Sequence, residues 1–190
     1  MKEKEFISRF HHIRNVVPEQ DYPLPNTGKP AGVLIPIVKY PTQLSVLLTK
    51  RSAHLKHHPG QISFPGGRQE DSDVDAVAAA IRETNEEIGI SPHQISIVGR
   101  LPNYRTISGY EMVPVVGLVD DNISLDLDHN EVDTAFEVPL NQVLNRNNHL
   151  VHWINRDHRR FPIFFIPVRN TYIWGATAAI LRNLSHHIYP

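Results

Sequence analysis

The segment GGRQEDSDVDAVAAAIRETNEEIGI, residues 66–90, carries the most informative pattern in this sequence of 190 residues. One of residues 71–73, which read Asp-Ser-Asp, can cap a helix, because these side chains accept hydrogen bonds from the first N–H groups of a helix. Gly89 is typical of the residue that follows the last turn. The apolar residues between these two signals recur at helical spacing and predict a helix over residues 74–88.

The predicted helix carries three carboxylates on one arc of its surface. Because each residue advances the helix by about 100°, Glu83, Glu86 and Glu87 lie within one turn and on one side. Like charges at this spacing repel each other unless a cation lies among them, and Arg82 is placed to pair with Glu86. The pattern fits either a solvated acidic face or a cation site.

The other side of this helix is predicted to pack against the domain. Ala79 and Ala80 lie on the carboxylate side one turn earlier, and their small side chains are expected to leave room for a ligand. The residues predicted to pack are Val74, Val77, Ala78, Ile81, Thr84 and Ile88.

The pairing of Arg82 and the loop before the helix favour a cation site over a solvated face. The loop before the helix contains Gly60, Gly66 and Gly67, which allow sharp turns and a close approach of the backbone. Oxygen ligands at helix positions i, i+3 and i+4 suit a hard ion such as Mg²⁺ or Mn²⁺ rather than zinc. Since Mg²⁺ commonly bridges carboxylates to the phosphates of a substrate, we expect phosphate-bond chemistry.

The same run resembles the Nudix box, G-x5-E-x7-R-E-U-x-E-E-x-G-U, in which U is an apolar residue. It departs from the box at two positions. Asp73 takes the place of the first glutamate, with eight residues instead of seven before Arg82, and Thr84 occupies an apolar position. The matching residues are Gly67, Arg82, Glu83, Glu86, Glu87, Gly89 and Ile90.

This resemblance implies both a fold and a metal site. The implied fold is the α/β Nudix sandwich, in α/β/α layers, with a mixed central sheet and the box as a loop–helix–loop that binds metal. Glu83 and Glu87 would be the principal ligands of Mg²⁺ or Mn²⁺, and Gly67 would belong to the same metal set. Glu86 would be a further ligand or the partner of Arg82, which completes the implied catalytic set.

The residues before the box narrow the resemblance to one branch of the family. LLTKRSAHLKHHPGQISFPGG (residues 47–67) is similar to L-L-T-x-R-[SA]-x3-R-x3-G-x3-F-P-G-G, the signature of the coenzyme A pyrophosphatase branch, with Lys56 in place of its second arginine. Residues 104–117 and 172–181 also resemble segments of that branch. The matching residues are Leu47, Leu48, Thr49, Arg51, Ser52, Gly60, Phe64, Pro65, Gly66 and Gly67.

The branch resemblance implies an enzyme that cleaves the diphosphate of coenzyme A and its derivatives. The products would be 3′,5′-ADP and 4′-phosphopantetheine, or its acylated form, and Arg51 and Lys56 would bind the substrate phosphates. Two alternatives stay open. One is a Nudix pyrophosphatase acting on ADP-ribose, a dinucleotide or a nucleoside triphosphate, and the other is a non-catalytic Nudix-like binding module.

The motifs leave the roles of several residues open. The general base is expected to be Glu83 or a carboxylate from a later loop, such as Glu131. The histidines of the loop before the box are expected to lie near phosphate rather than to hold a metal. These histidines are His54, His57 and His58.

The rest of the chain predicts one α/β domain at residues 31–190, preceded by a helix and a proline-rich arm at residues 1–30 that lie on it. Runs at 31–40 and 43–51 predict a β-hairpin, and the irregular alternation of strands and helices favours a mixed sheet. Trp174 is expected in the core. Further strands are expected at 95–102, 112–119, 149–154 and 160–168, and helices at 3–14, 139–145 and 175–188.

Composition excludes several classes of protein. With no cysteine, the chain has no disulfide framework, thiolate zinc site or cysteine nucleophile. The formal charge of −1 argues against a broad basic surface for nucleic acid. No apolar run approaches the roughly 18 residues of a membrane span, and the start lacks the apolar stretch of a signal peptide. We expect a soluble, cytoplasmic protein with a small-molecule substrate, as a monomer or a homodimer.

Overall fold

The computed structural model of the protein describes residues 1–12, 28–156 and 159–189, with the side chains of residues 156 and 159 left aside. The predicted proline-rich arm lies outside these residues up to position 27. In this part of the chain, no helix is long and apolar enough to cross a membrane.

Four α-helices lie within the described ranges. One is the helix of the acidic segment, and the other three lie where the sequence predicts the remaining helices. The helices are α1 (Glu3–His11), α2 (Ala76–Ile88), α3 (Leu140–Leu144) and α4 (Gly175–Ile188). The strands are β1 (Lys29–Lys39), β2 (Leu44–Arg51), β3 (Ile62–Ser63), β4 (Gly66–Arg68), β5 (Ile95–Arg100), β6 (Tyr104–Arg105), β7 (Tyr110–Asp120), β8 (Val132–Pro139), β9 (Leu150–Arg156), β10 (Arg159–Val168) and β11 (Thr171–Trp174).

The main sheet is mixed, as predicted. Its central strand, β1, runs antiparallel to β2, which confirms the hairpin, and parallel to β7 along its whole length. The order across the described sheet is β3-β2-β1-β7-β5, with β4 beside β1, β6 beside β7 and β8 beside β2. The pairing of β4 with β1 brings the glycine-rich loop into the middle of the sheet, where it faces the start of the acidic segment.

Helices cover both faces of this sheet, which confirms the predicted α/β/α sandwich. Alternate residues of β1 divide between two hydrophobic cores, because successive side chains of a strand point to opposite faces. Val33 and Ile35 belong to the core that α1, α3 and α4 share, whereas Leu34 belongs to the core beneath α2. Helix α2 is therefore the layer on one face, and its underside rests on β1 and β4.

A second sheet of three antiparallel strands, β9 to β11, lies on the α4 side. Its inner face contributes to the larger core through Phe164, Ile166, Val168 and Ile173, which are all buried. Its strand β11 lies beside β3 of the main sheet and leads directly into α4. The loop before the Nudix-like box and the second sheet are thus neighbours.

Candidate metal and diphosphate site

Helix α2 begins two residues later than the sequence predicts. The carboxylate of Asp75 accepts hydrogen bonds from the N–H groups of Val77 and Ala78, both at 2.9 Å, so Asp75 is the cap rather than one of residues 71–73. Gly89 ends the helix in the left-handed conformation, at a φ of 75°, as predicted. The cap position leaves Asp73 outside the helix.

The predicted packing face of α2 is wrong in part. Val74 is 91% exposed, whereas Ala79 and Ala80 are fully buried and leave no room for a ligand. The cause is the close approach of the helix to β1: a β-carbon at Gly32 would overlap the carbonyl oxygen of Ala76. The small side chains of Ala76, Ala79 and Ala80, on the side of α2 that faces β1, allow this close contact.

Glu87 lies on the packing side, where it is only 4% exposed. The N–H of Gly66 donates to its Oε2 at 3.1 Å, and Nη1 of Arg51 lies 3.8 Å from its Oε1, beyond hydrogen-bond distance. Burial raises the pKa of Glu87 to about 8, and the charges of Glu83 and Glu131 add to the effect. The carboxylate is therefore buried with little compensation for its charge.

Glu83 lies one turn earlier and faces the same glycine strand. A β-carbon at Gly67 would lie within 2.6 Å of both carboxylate oxygens of Glu83, so only glycine fits at this position. Nη2 of Arg82 donates to Oε1 of Glu83 at 3.0 Å. Burial raises the pKa of Glu83, while the neighbouring Arg82 opposes the rise.

Arg82 joins the loop before the helix to the carboxylates of the helix. Its Nε and Nη2 donate to the two oxygens of Asp73 at 3.1 and 3.0 Å, and its Nη1 donates to Glu86 at 2.7 Å. Nη2 also donates to the carbonyl oxygen of Arg68. The hydrogen bonds from Arg82 hold the pKa of Asp73 below its usual range. Asp73, despite the extra residue in its spacing, thus binds Arg82 from both oxygens.

The side-chain donors of the site bear on whether it can hold a metal ion. Among the described residues, no three His, Asp or Glu side chains lie close enough together to hold a metal ion. Glu86 is exposed, and its carboxylate accepts a hydrogen bond from Nη1 of Arg82 at 2.7 Å. The remaining donors nevertheless fit a hard cation, because Glu83 and the undercompensated Glu87 both face the Gly66–Gly67 strand.

The other residues predicted for the site differ in how exposed their side chains are. Arg51 is half-buried beside Glu87. Lys56 is exposed on the loop after β2 and forms no salt bridge with any side chain that the structure describes. The exposed Glu131 is fixed through its backbone, which accepts the N–H of Ser52 at 2.9 Å. His54, His57 and His58 are exposed on the same loop as Lys56.

Two further features differ from what the sequence predicts. Trp174 is 43% exposed rather than buried in the core. Strand β8, which pairs with β2 beside the site, was missed because acidic residues and a threonine interrupt its apolar pattern. The apolar residues Val132, Phe136 and Val138 were the only signal for that strand.

Comparisons with known proteins agree with this geometry. The NUDIX domain family model matches residues 28–158. The uncharacterized Nudix hydrolase NudL of Shigella flexneri serotype 5b (strain 8401) is 36% identical over 184 residues, which cover 97% of this chain and 93% of that protein. NudL of Escherichia coli (strain K12) matches with the same identity and coverage.

Solved structures bear on the fold alone, because the identities are low. A MutT/nudix family protein from Enterococcus faecalis aligns with a TM-score of 0.56 at 16% identity, over 97% of this chain and 68% of that one. An Ap4A hydrolase from C. elegans, in a binary complex, aligns with a TM-score of 0.51 at 21% identity, over 58% of this chain and 80% of that one. Family model, relatives and fold agree, and the chain belongs to the Nudix hydrolases, enzymes that generally use divalent metal ions.

Proposed function

We propose that the protein hydrolyses the diphosphate bond of coenzyme A and its derivatives, releasing 3′,5′-ADP and 4′-phosphopantetheine or its acylated form. The observation that carries this proposal is the segment at residues 47–67, which resembles the coenzyme A branch and leads into the carboxylate site. Its Arg51 lies 3.8 Å from Glu87, and its Gly66 donates to the same carboxylate. The segment that resembles the branch thus also builds the site.

The metal ion of this proposal is Mg²⁺ or Mn²⁺, held by Glu83 and Glu87 with Gly67 and Glu86 as further candidates. Such an ion supplies neutralisation of the diphosphate oxygens and a more acidic bound water. Arg82 donates to both Glu83 and Glu86, and its two bonds to Asp73 fix the guanidinium that positions them.

Protein groups supply the rest of the chemistry. Arg51 reaches the mouth of the site from the end of β2, where its guanidinium can bind a phosphate oxygen in two-point geometry. Lys56, exposed on the following loop, supplies a point charge for the 3′-phosphate. A carboxylate, either Glu83 or Glu131, accepts the proton of the attacking water, whose oxygen forms the new bond to phosphorus as the bridging oxygen leaves with the other phosphate.

A substrate panel tests the proposal. Coenzyme A, dephospho-coenzyme A, ADP-ribose and a dinucleotide are incubated with the protein and Mg²⁺ or Mn²⁺, and the products are weighed by mass spectrometry. We expect coenzyme A to give 3′,5′-ADP and to have the highest kcat/KM. A preference of tenfold or more for ADP-ribose or the dinucleotide would overturn the proposal, and binding of every compound without turnover would favour a binding module.

Two matched variants test whether any turnover comes from the carboxylate site. Glu83→Gln removes a carboxylate that faces Gly67, whereas Glu111→Gln removes an acid on β7, in the main sheet, that contacts Asn103 and Arg105. Loss of activity in the first variant and not in the second is the expected result. Equal activity in both would mean that the turnover comes from elsewhere.

A further inference from the structure

The turn at residues 128–131, just before β8, lies against the C-terminal end of α2. The N–H of Asp128 donates to the carbonyl oxygen of Glu87 at 3.0 Å, so the turn touches the backbone of a candidate metal ligand. The carbonyl oxygen of Asp128 accepts the N–H groups of Glu131 and Val132 at 2.9 and 2.8 Å, and these bonds close the turn. We name residues 128–131 the Asp128 turn. Its shape is thus fixed beside the carboxylate site.

Ser52 binds the Asp128 turn through two hydrogen bonds. It follows the last residue of β2 and is only 4% exposed. Its N–H donates to the carbonyl oxygen of Glu131 at 2.9 Å, and its hydroxyl donates to the carbonyl oxygen of His129 at 3.0 Å. A buried hydroxyl that loses its acceptor costs free energy. Both donors of this buried residue therefore hold one turn in place.

A β-bulge precedes this contact. The register between β2 and β8 shifts between Lys50 and Arg51, because Asp133 is an extra residue in β8. Bulges change the direction of a strand and are common beside active sites. The pairing of the two strands ends at Arg51, and the bonds of Ser52 to the Asp128 turn continue the contact beyond it.

The Asp128 turn brings Glu131 close to the carboxylates of α2. Burial is the main cause of the raised pKa of Glu83 and of Glu87, and the negative charge of Glu131 adds to the rise at both. Glu131 is exposed, so its carboxylate is accessible to an attacking water. Oε1 of Glu83, in contrast, already accepts a hydrogen bond from Arg82. The position of Glu131 suits a proton acceptor better than that of Glu83.

We propose that Ser52 is a positioning residue, which holds the Asp128 turn so that the carboxylate of Glu131 takes the proton of the attacking water. The inference rests on the proposed function for its hydrolytic step, and it applies to whichever diphosphate the protein cleaves. As the water oxygen bonds to phosphorus, its proton passes to Glu131, and the electron pair of the broken P–O bond leaves with the other phosphate. Glu83 then remains a ligand that Arg82 holds.

The first test is Ser52→Ala, which removes the bond to His129 and keeps the N–H bond to Glu131. Since a misplacement of about 1 Å can lower a rate by up to about 100-fold, we expect a five- to tenfold loss in kcat with KM unchanged. Ser45→Ala is the matched control, because Ser45 is equally buried near the other end of β2. Equal losses in the two variants would overturn the inference.

A double-mutant cycle with Glu131→Gln separates positioning from support of the fold. Glu131→Gln should lower kcat by about 100-fold or more, which is the usual contribution of a general base. In that background Ser52→Ala should change kcat by less than about twofold, because no carboxylate is left to position. Additive losses, a loss expressed in KM, or parent-like turnover of Glu131→Gln would each overturn the inference.

Asp128→Ala loosens the same turn at a different contact. Oδ1 of Asp128 accepts the backbone and side-chain N–H groups of Asn130, both at 2.9 Å. We expect this variant to reproduce the kcat loss of Ser52→Ala and to have no further effect in the Glu131→Gln background. A loss that persists in that background would mean that the turn supports α2 instead, and it would overturn the inference.

Two measurements without substrate separate this inference from the proposed function. In hydrogen exchange, Ser52→Ala should speed the exchange of the amides of the Asp128 turn by about fivefold, the effect of losing one hydrogen bond. In calorimetry with Mn²⁺ alone, Glu131→Gln should weaken binding by about threefold or more, because a nearby negative charge is lost. An unchanged exchange rate or Mn²⁺ affinity would overturn the inference whatever the substrate is. Poor turnover of coenzyme A beside good turnover of another diphosphate would count against the proposed function alone.

Discussion

Replacing Glu87 by glutamine should stabilise the metal-free protein while it removes activity. The carboxyl group of Glu87 is 4% exposed, and burial raises its pKa from 4.5 to about 8. The folded state then binds the proton more tightly than the unfolded state, so folding stability falls as the pH rises from about 4.5 to about 8. At about 1.4 kcal/mol for each pH unit, this interval corresponds to about 5 kcal/mol.

Glutamine keeps the shape of the side chain and still accepts the N–H of Gly66, but it carries no charge. Its amide nitrogen would face Arg51 without an acceptor, which costs about 1–3 kcal/mol. The net gain for Glu87→Gln at pH 8 is therefore about 2–4 kcal/mol in the free energy of unfolding. By pH 5 the gain should have vanished, because the parent carboxyl is then protonated in the folded state and little of the pH-dependent loss of stability has developed to offset the cost of the unpaired amide.

The assay is urea unfolding, followed by far-UV circular dichroism in EDTA at pH 5, 6.5 and 8. Glu86→Gln is the control, since Glu86 is exposed on the same helix and its main partner is Arg82. With saturating Mg²⁺, the Glu87 variant should lose kcat by orders of magnitude. Parallel stability curves for the parent and Glu87→Gln would refute the burial argument, and parent-like turnover would refute the metal role.

Three further variants probe neighbouring parts of the site. Gly67→Ala should keep the fold but lower kcat at least tenfold, as measured in steady state, because the new β-carbon displaces the Glu83 carboxylate; full activity would show that this carboxylate can move without cost. Arg51→Ala should tighten Mn²⁺ binding in calorimetry and raise KM for coenzyme A, and the opposite sign for Mn²⁺ would contradict competition at Glu87. Lys56→Ala should reduce kcat/KM for coenzyme A by roughly 5- to 150-fold and for dephospho-coenzyme A by less, and equal losses would place Lys56 at the diphosphate instead.

The sequence predicts the hairpin, the mixed sheet and the helices well, because they follow from local patterns, whereas the α/β/α layering is implied by the resemblance to the Nudix family. The hairpin, the mixed sheet and the span of α4 all come from alternation, turn residues and helical spacing. The motif also locates Arg82 and the three glutamates on one helix. These features depend on residues close together in the chain, so the sequence contains them directly.

The orientation of α2 could not be predicted by the same logic. The spacing of the apolar residues predicts that the acidic side chains of α2 face solvent, but Glu87 is buried against the sheet. Its burial depends on Gly32 and Gly66, which come close only through the pairing of β1 with β4. Long-range pairing of this kind leaves no local pattern in the chain. The exposure of Trp174 is a similar case, because hydrophobicity alone does not tell which face of a small sheet lacks a covering layer.

The two arginines of the site, Arg82 and Arg51, differ in how tightly their guanidinium groups are held, and this difference suits them to different roles. Arg82 is fixed by both oxygens of Asp73 and by the carbonyl oxygen of Arg68, so it stays in place whatever binds to Glu83. Arg51 touches Glu87 only at 3.8 Å, which is a loose electrostatic contact. A divalent cation at Glu87 would repel Arg51 and leave it to a phosphate oxygen, since the two cations compete for one carboxylate. We therefore propose that Arg82 holds the carboxylates in place and that Arg51 changes partner when metal and substrate bind.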